Sequence, residues 1–182
     1  VKNIKKDLKE CNVRKYIIIL EPSKRNTAPA ILSSALIEEV PSNQPLMFLA
    51  ADHLIEKSEL LIRSINKNKN NLNNENIFIF GIKPTSPSSE YGYFITKKTK
   101  KNINKVTKFI EKPKIKKAKF IIKKKGYWNS GMFLIKKRSI INNYKKFQPK
   151  IYKNCLKSVI KSKRKKNIYT LNKTYYSKAA NK

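Results

Sequence analysis

Four short segments of the chain combine charged or amide side chains with glycine or proline, and each has the chemistry to contact a phosphorylated ligand. The first is residues 21–30, a polar loop that leads into a predicted helix. Free backbone N–H groups and the helix dipole attract phosphate at such a helix start, and Arg25 and Asn26 add side-chain donors. The residues alone nevertheless favour an ordinary helix capped by Asn26 or Thr27.

The second segment is an acidic residue at the predicted carboxyl end of a strand. Asp52 follows the apolar run 46–50 and precedes His53, the only histidine of the chain. A carboxylate at this position suits Mg²⁺, which typically takes one or two carboxylates together with substrate phosphates. A helix-capping aspartate beside a surface histidine explains the same residues, and the sequence leaves both explanations open.

The third and fourth segments surround two of the four glycines. Glu111 offers an acceptor for sugar hydroxyls and Lys112 a cation for phosphate, although one Glu–Lys pair carries no weight in a chain with 43 lysines and arginines. Asn129 can hydrogen-bond to a polar ligand while Gly131 keeps the backbone close to it. A buried aromatic residue followed by a turn explains residues 128–131 equally well. No Ser/His/Asp triad, cysteine nucleophile or phosphate-binding P-loop is visible in the sequence.

The elements that must position these segments alternate between strands and helices. This alternation predicts an α/β three-layer fold with a largely parallel sheet, in which ligands bind at the carboxyl ends of the strands. We expect Glu21, Asp52 and Gly92 to lie at those ends. The predicted strands are 16–20, 46–50, 77–82, 91–96, 104–110 and 132–135, and the predicted helices are 27–39, 58–66, 115–122, 139–146 and 151–161.

The composition predicts one domain of 182 residues without a membrane span. No run approaches the roughly 20 consecutive apolar residues that cross a bilayer, and the first residues do not form a signal peptide. Cys11 and Cys155 lack the spacing of a metal site, which indicates two free thiols in a reducing compartment. We therefore expect a cytoplasmic protein.

The formal net charge of +32 suggests a nucleic-acid-binding protein when it is considered alone. The lysines, however, are spread evenly and accompany an excess of asparagine and isoleucine, which adds no affinity for phosphate. Codon bias toward A and T explains all three excesses. A specific nucleic-acid site would also need aromatic residues between the basic patches, whereas most of them lie in strand-like runs. We expect only nonspecific, salt-sensitive binding to polyanions.

Taken in order, the segments resemble the mannose-1-phosphate guanylyltransferases, also called GDP-mannose pyrophosphorylases. The likeness is greatest to the bacterial type that is often fused to a mannose-6-phosphate isomerase. It covers roughly residues 15–150, and five ordered motifs are far more specific than any one of them. The motifs are EPSKRNTAPAI at 21–31, LAADHLI at 49–55, FGIKPTSPSSEYGYF at 80–94, FIEKP at 109–113 and WNSGMF at 128–133.

The resemblance implies a Rossmann-like nucleotidyltransferase fold with a mixed sheet, and a function in nucleotide-sugar and polysaccharide synthesis. The implied reaction transfers GMP from GTP to mannose 1-phosphate, giving GDP-mannose and pyrophosphate, with Mg²⁺ as the cofactor. Catalysis would then consist mostly of positioning and charge neutralisation. The implied roles are nucleotide binding for Arg25, Asn26 and Thr27; metal binding and catalysis for Asp52; mannose binding for Gly92, Glu111 and Asn129; and phosphate binding and catalysis for Lys112.

The chain departs from the family pattern at several positions. Ala51 replaces a proline before the Asp–His pair, and Glu90 replaces a glycine close to Gly92. The family's glycine-rich phosphate loop would precede Val1, and neither a second metal-binding aspartate nor the isomerase domain is found before Lys182. We therefore expect residues 1–182 to be a partial nucleotidyltransferase domain that is feeble on its own. A non-catalytic remnant of the enzyme is the alternative, and a basic nucleic-acid-binding protein is a more distant one.

Overall fold

The structure is a computed structural model that describes residues 1–99 and 103–179. Its contacts divide the chain into two compact units. One unit combines Val1–Pro41 with the stretch from Ile140 onward, and the other is Ser42–Ser139. Within the described ranges, no helix combines the length and the apolar composition needed to cross a membrane.

Helices and strands follow one another along the chain, as the sequence predicts. The predicted helices at 58–66 and 115–122 are confirmed to within two residues, as are the predicted strands at 91–96 and 104–110, which pair with each other antiparallel. In chain order, the elements are α1 (Lys2–Glu10), β1 (Ile18–Leu20), α2 (Thr27–Ala35), β2 (Pro45–Phe48), α3 (Ser58–Asn68), β3 (Phe78–Ile82), β4 (Tyr93–Lys97), β5 (Lys105–Ile110), α4 (Ile115–Lys123), β6 (Tyr127–Lys136), α5 (Lys137–Phe147), α6 (Pro149–Ile160), β7 (Lys163–Lys165), β8 (Ile168–Thr170) and α7 (Lys173–Tyr176).

The long strand β6 organises the five-stranded sheet of the unit Ser42–Ser139. Strand β2 pairs with residues 133–136 of β6, β4 with residues 127–128 and β3 with residues 128–134. Because β3 overlaps both other strands in register, it occupies one edge of β6 while β2 and β4 follow each other along the opposite edge. Strand β5 then pairs with β4.

The predicted α/β class with a mixed sheet is confirmed, but the strand pairing differs from the largely parallel sheet that we expected. Strand β1 pairs in parallel with β8, whereas β2, β3 and β4 each pair antiparallel with β6. These three strands still run in the same direction, because β6 is their common antiparallel partner. The alternation of elements does not show which strands are neighbours. It therefore could not predict that β6 lies between β3 on one edge and β2 and β4 on the other.

Helix α4 covers one face of this sheet. Its apolar residues Ala118 and Ile121 are buried against Tyr93, and Trp128 packs at the margin of the cluster. The helix ends where the backbone N–H of Gly126 donates to the carbonyl of Ile121 at 3.0 Å. The buried face of α4 is therefore the one that carries Ala118 and Ile121.

The other unit contains a three-stranded sheet with the order β1–β8–β7. Residues after 162, to which the sequence assigned no structure, form two of these strands and the helix α7. The hydrophobic cluster of this unit includes four buried side chains, those of Ile37, Val159, Leu171 and Tyr176. The basic tail is thus an integral part of this unit rather than a solvated extension.

Candidate functional site

A row of four residues crosses the sheet of the unit Ser42–Ser139. Gly81 of β3 lies opposite Asn129 of β6, and the registers of β4 with β6 and β5 place Gly92 between Asn129 and Glu111. The backbone N–H of Asn129 donates to the carbonyl of Gly92 at 2.8 Å. We call Gly81, Asn129, Gly92 and Glu111 the polar row. It combines a carboxylate and an amide with two residues that lack side chains.

Gly92 allows two neighbouring side chains to approach the backbone in the middle of the polar row. A Cβ atom at this residue would lie 2.8 Å from Oε2 of Glu111 and 3.0 Å from Cζ of Phe109. Both distances are shorter than normal van der Waals contacts, so a side chain here would displace its neighbours. The missing side chain therefore lets the exposed Glu111 carboxylate and the Phe109 ring pack over the backbone of Gly92.

Asn129 lies beside Gly92 in the polar row and carries its amide on the same face of the sheet as Glu111. Its Oδ1 atom accepts a hydrogen bond from the backbone N–H of Gly131 at 3.2 Å, which holds the side-chain amide in place. Among the described residues, no hydrogen bond of Nδ2 is found. The oxygen of this amide is thus already hydrogen-bonded, whereas its N–H₂ group can still donate. Such an amide can donate a hydrogen bond to a sugar hydroxyl.

A β-bulge follows Asn129 and shapes this end of β6. The register between β3 and β6 shifts here, and Gly131 adopts a φ of +73°, which is costly for other residues. The buried Ser130 hydroxyl donates to the carbonyl of Phe80 at 2.7 Å and accepts from the N–H of Met132 at 3.2 Å. The expected turn at residues 128–131 is therefore a bulge within a longer strand, a device that often occurs beside binding sites.

Lys112 directly follows Glu111 and has a strained backbone. Its φ of +38° is uncommon for a residue with a side chain. Such conformations cost about 1–3 kcal/mol and cluster at binding and catalytic sites. Lys112 and Glu111 are both exposed, whereas Pro113 behind them is buried. The turn thus presents a cation and a carboxylate side by side at the end of β5.

Asp52 lies in a turn four residues after β2 and is exposed. Strand β2 ends opposite Phe133 of β6, and β4 begins opposite Trp128 along the same edge. The chain therefore leaves β2 in the direction of the bulge and of Gly92. In the described ranges, no three His, Cys, Asp or Glu side chains lie close enough together to hold a metal ion, so Asp52 does not belong to a metal site with three such ligands.

The predicted nucleotide-binding residues lie in the unit that contains Val1–Pro41. Helix α2 begins at Thr27 and Asn26 takes the N-cap position, yet the Asn26 side chain makes no capping hydrogen bond in the described structure. Asn26 therefore leaves the N–H groups of Thr27 and Ala28 uncapped, and Pro29 at the third position of α2 has no N–H. Arg25 donates from its guanidinium to the carbonyl of Ser177, and its buried Nε has no partner among the described residues.

The tail holds this loop through residues that the sequence did not identify. The Tyr176 hydroxyl donates to Oε2 of Glu21 at 2.6 Å, and the hydroxyls of Ser23 and Ser177 are 3.5 Å apart. Burial raises the pKa of Tyr176, and its hydrogen bond to Glu21 acts in the same direction. The tail lacks a recognisable motif, and so nothing in the sequence paired it with residues 21–25.

Of the predicted site residues, Gly92, Glu111 and Asn129 are brought together, and Lys112 is adjacent to them. Asp52 follows a strand that leads toward the same edge of the sheet. Arg25, Asn26 and Thr27 share the start of α2 in the other unit. A single pocket formed by both groups remains a prediction.

Comparisons with known proteins agree with these motifs. The family model for nucleotidyl transferases matches residues 1–176. A mannose-1-phosphate guanylyltransferase of Escherichia coli is 38% identical over 165 residues, which are 86% of this chain and 36% of that protein. The alginate biosynthesis protein AlgA of Pseudomonas syringae pv. tomato is 33% identical over 164 residues, which are 87% of this chain and 34% of that protein.

A solved structure shares the fold. The crystal structure of a mannose-6-phosphate isomerase from Helicobacter pylori matches with a TM-score of 0.77 and 27% identity, and the match covers 94% of this chain and 67% of that one. The chain spans only about a third of the length of the two curated relatives. Since the family model nevertheless covers residues 1–176, the chain belongs to the nucleotidyl transferase family.

Proposed function

We propose that this protein functions in the transfer of GMP from GTP to mannose 1-phosphate, which gives GDP-mannose and pyrophosphate. The polar row carries the proposal, because the strand registers set a carboxylate and an amide on one face of the sheet, next to the cation of Lys112. The similarity to a mannose-1-phosphate guanylyltransferase supports mannose 1-phosphate as the sugar. The relative named for alginate biosynthesis supports a role in polysaccharide synthesis.

The sugar phosphate would be held by groups of opposite character. Glu111 accepts hydrogen bonds from sugar hydroxyls, and Nδ2 of Asn129 donates to another hydroxyl. Gly92 lets the sugar ring approach the backbone, and Lys112 neutralises charge on the phosphate. Such a site binds weakly through each group but fixes the orientation of the sugar, which is the main requirement for the reaction.

The nucleotide would bind at the start of α2. The N–H groups of Thr27 and Ala28, together with the Asn26 amide, suit phosphate oxygens or polar base edges. The half-buried Arg25 guanidinium adds a positive charge in the same loop. We infer a shared role of Arg25, Asn26 and Thr27 in nucleotide binding from these unfilled donors.

Mg²⁺ fits Asp52 as a single exposed carboxylate. This cation commonly takes one or two carboxylates and fills its remaining positions with substrate phosphates and water. Its contribution when bound would be to neutralise charge on the triphosphate. A binding site with several protein ligands is not found in the described residues, so metal binding would depend on the nucleotide.

The reaction needs no covalent enzyme intermediate. A phosphate oxygen of mannose 1-phosphate forms a bond to the α-phosphorus of GTP, while the bond from that phosphorus to the bridging β-phosphate oxygen breaks. Pyrophosphate leaves with the electron pair. The residues of this chain contribute by holding the attacking oxygen in line, and Lys112 stabilises the phosphate that carries it.

Isothermal titration calorimetry with mannose 1-phosphate tests the sugar end of the proposal separately from turnover. We expect binding to the unmodified protein and at least about tenfold weaker binding for Glu111→Gln and Lys112→Met, since each loses a charged contact. Glu59→Gln and Lys123→Met are matched controls on α3 and α4 and should bind normally. Failure of the unmodified protein to bind would reject the proposal.

Turnover provides the second measurement, with GTP, mannose 1-phosphate and Mg²⁺ as substrates and GDP-mannose as the detected product. We expect residues 1–182 to form GDP-mannose at a rate that falls for Lys112→Met, because Lys112 would stabilise the attacking phosphate. Sugar-phosphate binding without turnover would favour the non-catalytic remnant.

A further inference from the structure

Phe109 is an exposed aromatic residue beside the polar row. Its side chain is 49% exposed, although phenylalanine is normally buried. Its Cζ and Cε2 atoms lie 3.0 Å and 3.5 Å from the position that a Cβ of Gly92 would take. The Glu111 carboxylate approaches the same position to 2.8 Å. The aromatic ring and the carboxylate therefore lie next to each other over the backbone of Gly92.

The register shows that Phe109 and the polar row share a face of the sheet. Phe109 pairs with Phe94, and Phe94 pairs with Tyr127. Each of these aromatic residues is two positions away from a member of the polar row, and side chains two positions apart lie on the same face of a strand. A row of three aromatic side chains thus runs alongside the polar row.

The three aromatic residues differ in their exposure. Phe94 is almost fully buried and stacks on Tyr127 with ring centroids 5.8 Å apart. Phe94 also fills the space beside Gly81, where a Cβ would lie 2.6 Å from its Cζ atom. Phe109 has no such enclosure and exposes half of its surface next to Gly92 and Glu111. It is the member of the aromatic row whose ring a ligand can reach.

The opposite face of the sheet already has a complete core. Tyr93 packs there against Ala118 and Ile121 of α4, with Ile110 and Trp128 at the margin. Tyr93, Ile110 and Trp128 alternate along their strands with Phe109 and the polar row, so they point away from the site. The exposed ring of Phe109 is therefore not a peripheral part of the α4 core.

We propose that Phe109 is a sugar-binding residue whose ring packs against the apolar C–H face of the hexose, an inference that rests on the proposed function. A hexose presents hydroxyls around its rim and C–H bonds on its faces, so it needs polar and apolar contacts together. Binding sites typically combine an aromatic wall with a few convergent polar groups. Glu111 and Asn129 supply the polar groups here, and Phe109 supplies the wall.

Calorimetric titration of Phe109→Ala with mannose 1-phosphate and with inorganic phosphate tests this role. We expect about tenfold weaker binding of mannose 1-phosphate, the effect of losing an aromatic contact and its apolar area, and unchanged binding of phosphate. Phe109→Trp should retain sugar binding, because it keeps a flat apolar face. Phe120→Ala removes a comparably exposed phenylalanine on α4 and should bind both ligands normally.

The outcomes separate this inference from the proposed function. If the unmodified protein fails to bind mannose 1-phosphate, the proposed function fails and this inference fails with it. If the unmodified protein binds and Phe109→Ala binds equally well, only the role of Phe109 is rejected. Equal losses of affinity for mannose 1-phosphate and for inorganic phosphate would also reject the role of Phe109. If Phe109→Ala does not fold, Phe109→Leu keeps the apolar volume without the flat ring, and the same comparison applies.

Discussion

Tyr176 donates a 2.6 Å hydrogen bond to the carboxylate of Glu21, and this bond joins α7 to the loop that leads into α2. The guanidinium of Arg25 donates to the carbonyl of Ser177 from the same loop. The two contacts cross more than 150 residues of sequence. The loop that we propose to bind the nucleotide is therefore positioned by the tail of the described chain.

Tyr176→Phe keeps the buried ring and removes only the hydroxyl. Hydrogen bonds to charged groups stabilise proteins by about 1.5–3 kcal/mol, and Glu21 is exposed, so we expect a loss of about 1–2 kcal/mol in the free energy of unfolding. Urea denaturation measures this loss. Tyr175→Phe is the matched control, because its hydroxyl meets only Lys161 at the surface, at 3.3 Å. Equal losses for the two variants would contradict the role assigned to Tyr176.

The two cysteines should differ sharply in reactivity. Burial raises the pKa of the Cys155 thiol to about 11, whereas Cys11 is exposed. The thiolate is the reactive form, so iodoacetamide at pH 8.5 should label Cys11 in the folded protein and both residues after denaturation. Mass spectrometry of peptides after digestion identifies the labelled sites. Rapid labelling of Cys155 in the folded protein would show that it is accessible.

The same thiol makes stability depend on alkaline pH. Its pKa is higher in the folded protein than the ordinary value of 9.0, so the folded state keeps this proton after the unfolded state has lost it. The contribution of Cys155 to the free energy of unfolding is fully present below pH 9. It is lost as the pH rises toward about 11. Cys155→Ala should therefore flatten the fall in unfolding free energy over this range. An unchanged slope would contradict the assignment.

Gly92→Ala should impair the site without damaging the fold. The new Cβ would meet the end of the Glu111 side chain and the ring of Phe109, and both can rotate away. We expect a change in unfolding free energy within about 1 kcal/mol and a clear loss of affinity for mannose 1-phosphate. Circular dichroism and calorimetry measure the two effects on the same sample.

Gly126→Ala is the contrasting variant. Its Cβ would lie 2.4 Å from Cγ2 of Ile121 and 3.0 Å and 3.2 Å from the backbone carbonyls of Ile121 and Phe94. A buried side chain and backbone atoms cannot move aside cheaply, so we expect a loss of about 1–3 kcal/mol in unfolding free energy. If Gly92→Ala were the more destabilising of the two, the freedom of the Glu111 and Phe109 side chains to move aside would be contradicted.

The local elements of this chain follow from its sequence because their signals are local. Helix α4 has apolar residues at helical spacing and ends before Gly126, and the structure matches the prediction there. Strand β6 shows where such signals fail. A glycine inside an apolar strand suggests a turn, whereas Gly131 uses its positive φ to form a bulge without ending the strand.

The candidate site could be predicted only in part, since its contacts depend on register across strands. The motifs identified Gly92, Glu111 and Asn129, which indeed meet in the polar row. The motif at residues 109–113 contains Phe109 but implies no role for it, because the proximity of Phe109 to Gly92 arises from the pairing of β4 with β5. The pairing of strands is a property of the fold that no single segment records.

The net charge of +32 should produce polyanion binding that is nonspecific and spread over the surface. Exposed lysines lie on several elements, for example Lys153 and Lys157 on α6 and Lys116 and Lys119 on α4. We expect two DNA duplexes of unrelated sequence to bind equally in fluorescence anisotropy titrations. Log affinity should fall linearly with log salt, by about 0.9 for each phosphate neutralised.

Paired substitutions distinguish spread charge from a dedicated surface. Replacing Lys153 and Lys157 with glutamine should reduce the slope of log affinity against log salt. Replacing Lys116 and Lys119 should reduce this slope by the same amount, because both pairs contribute equally to nonspecific binding. A loss confined to one pair would identify a binding surface on that helix. A preference above about a thousandfold for one duplex at physiological salt would instead support a sequence-specific nucleic-acid-binding protein.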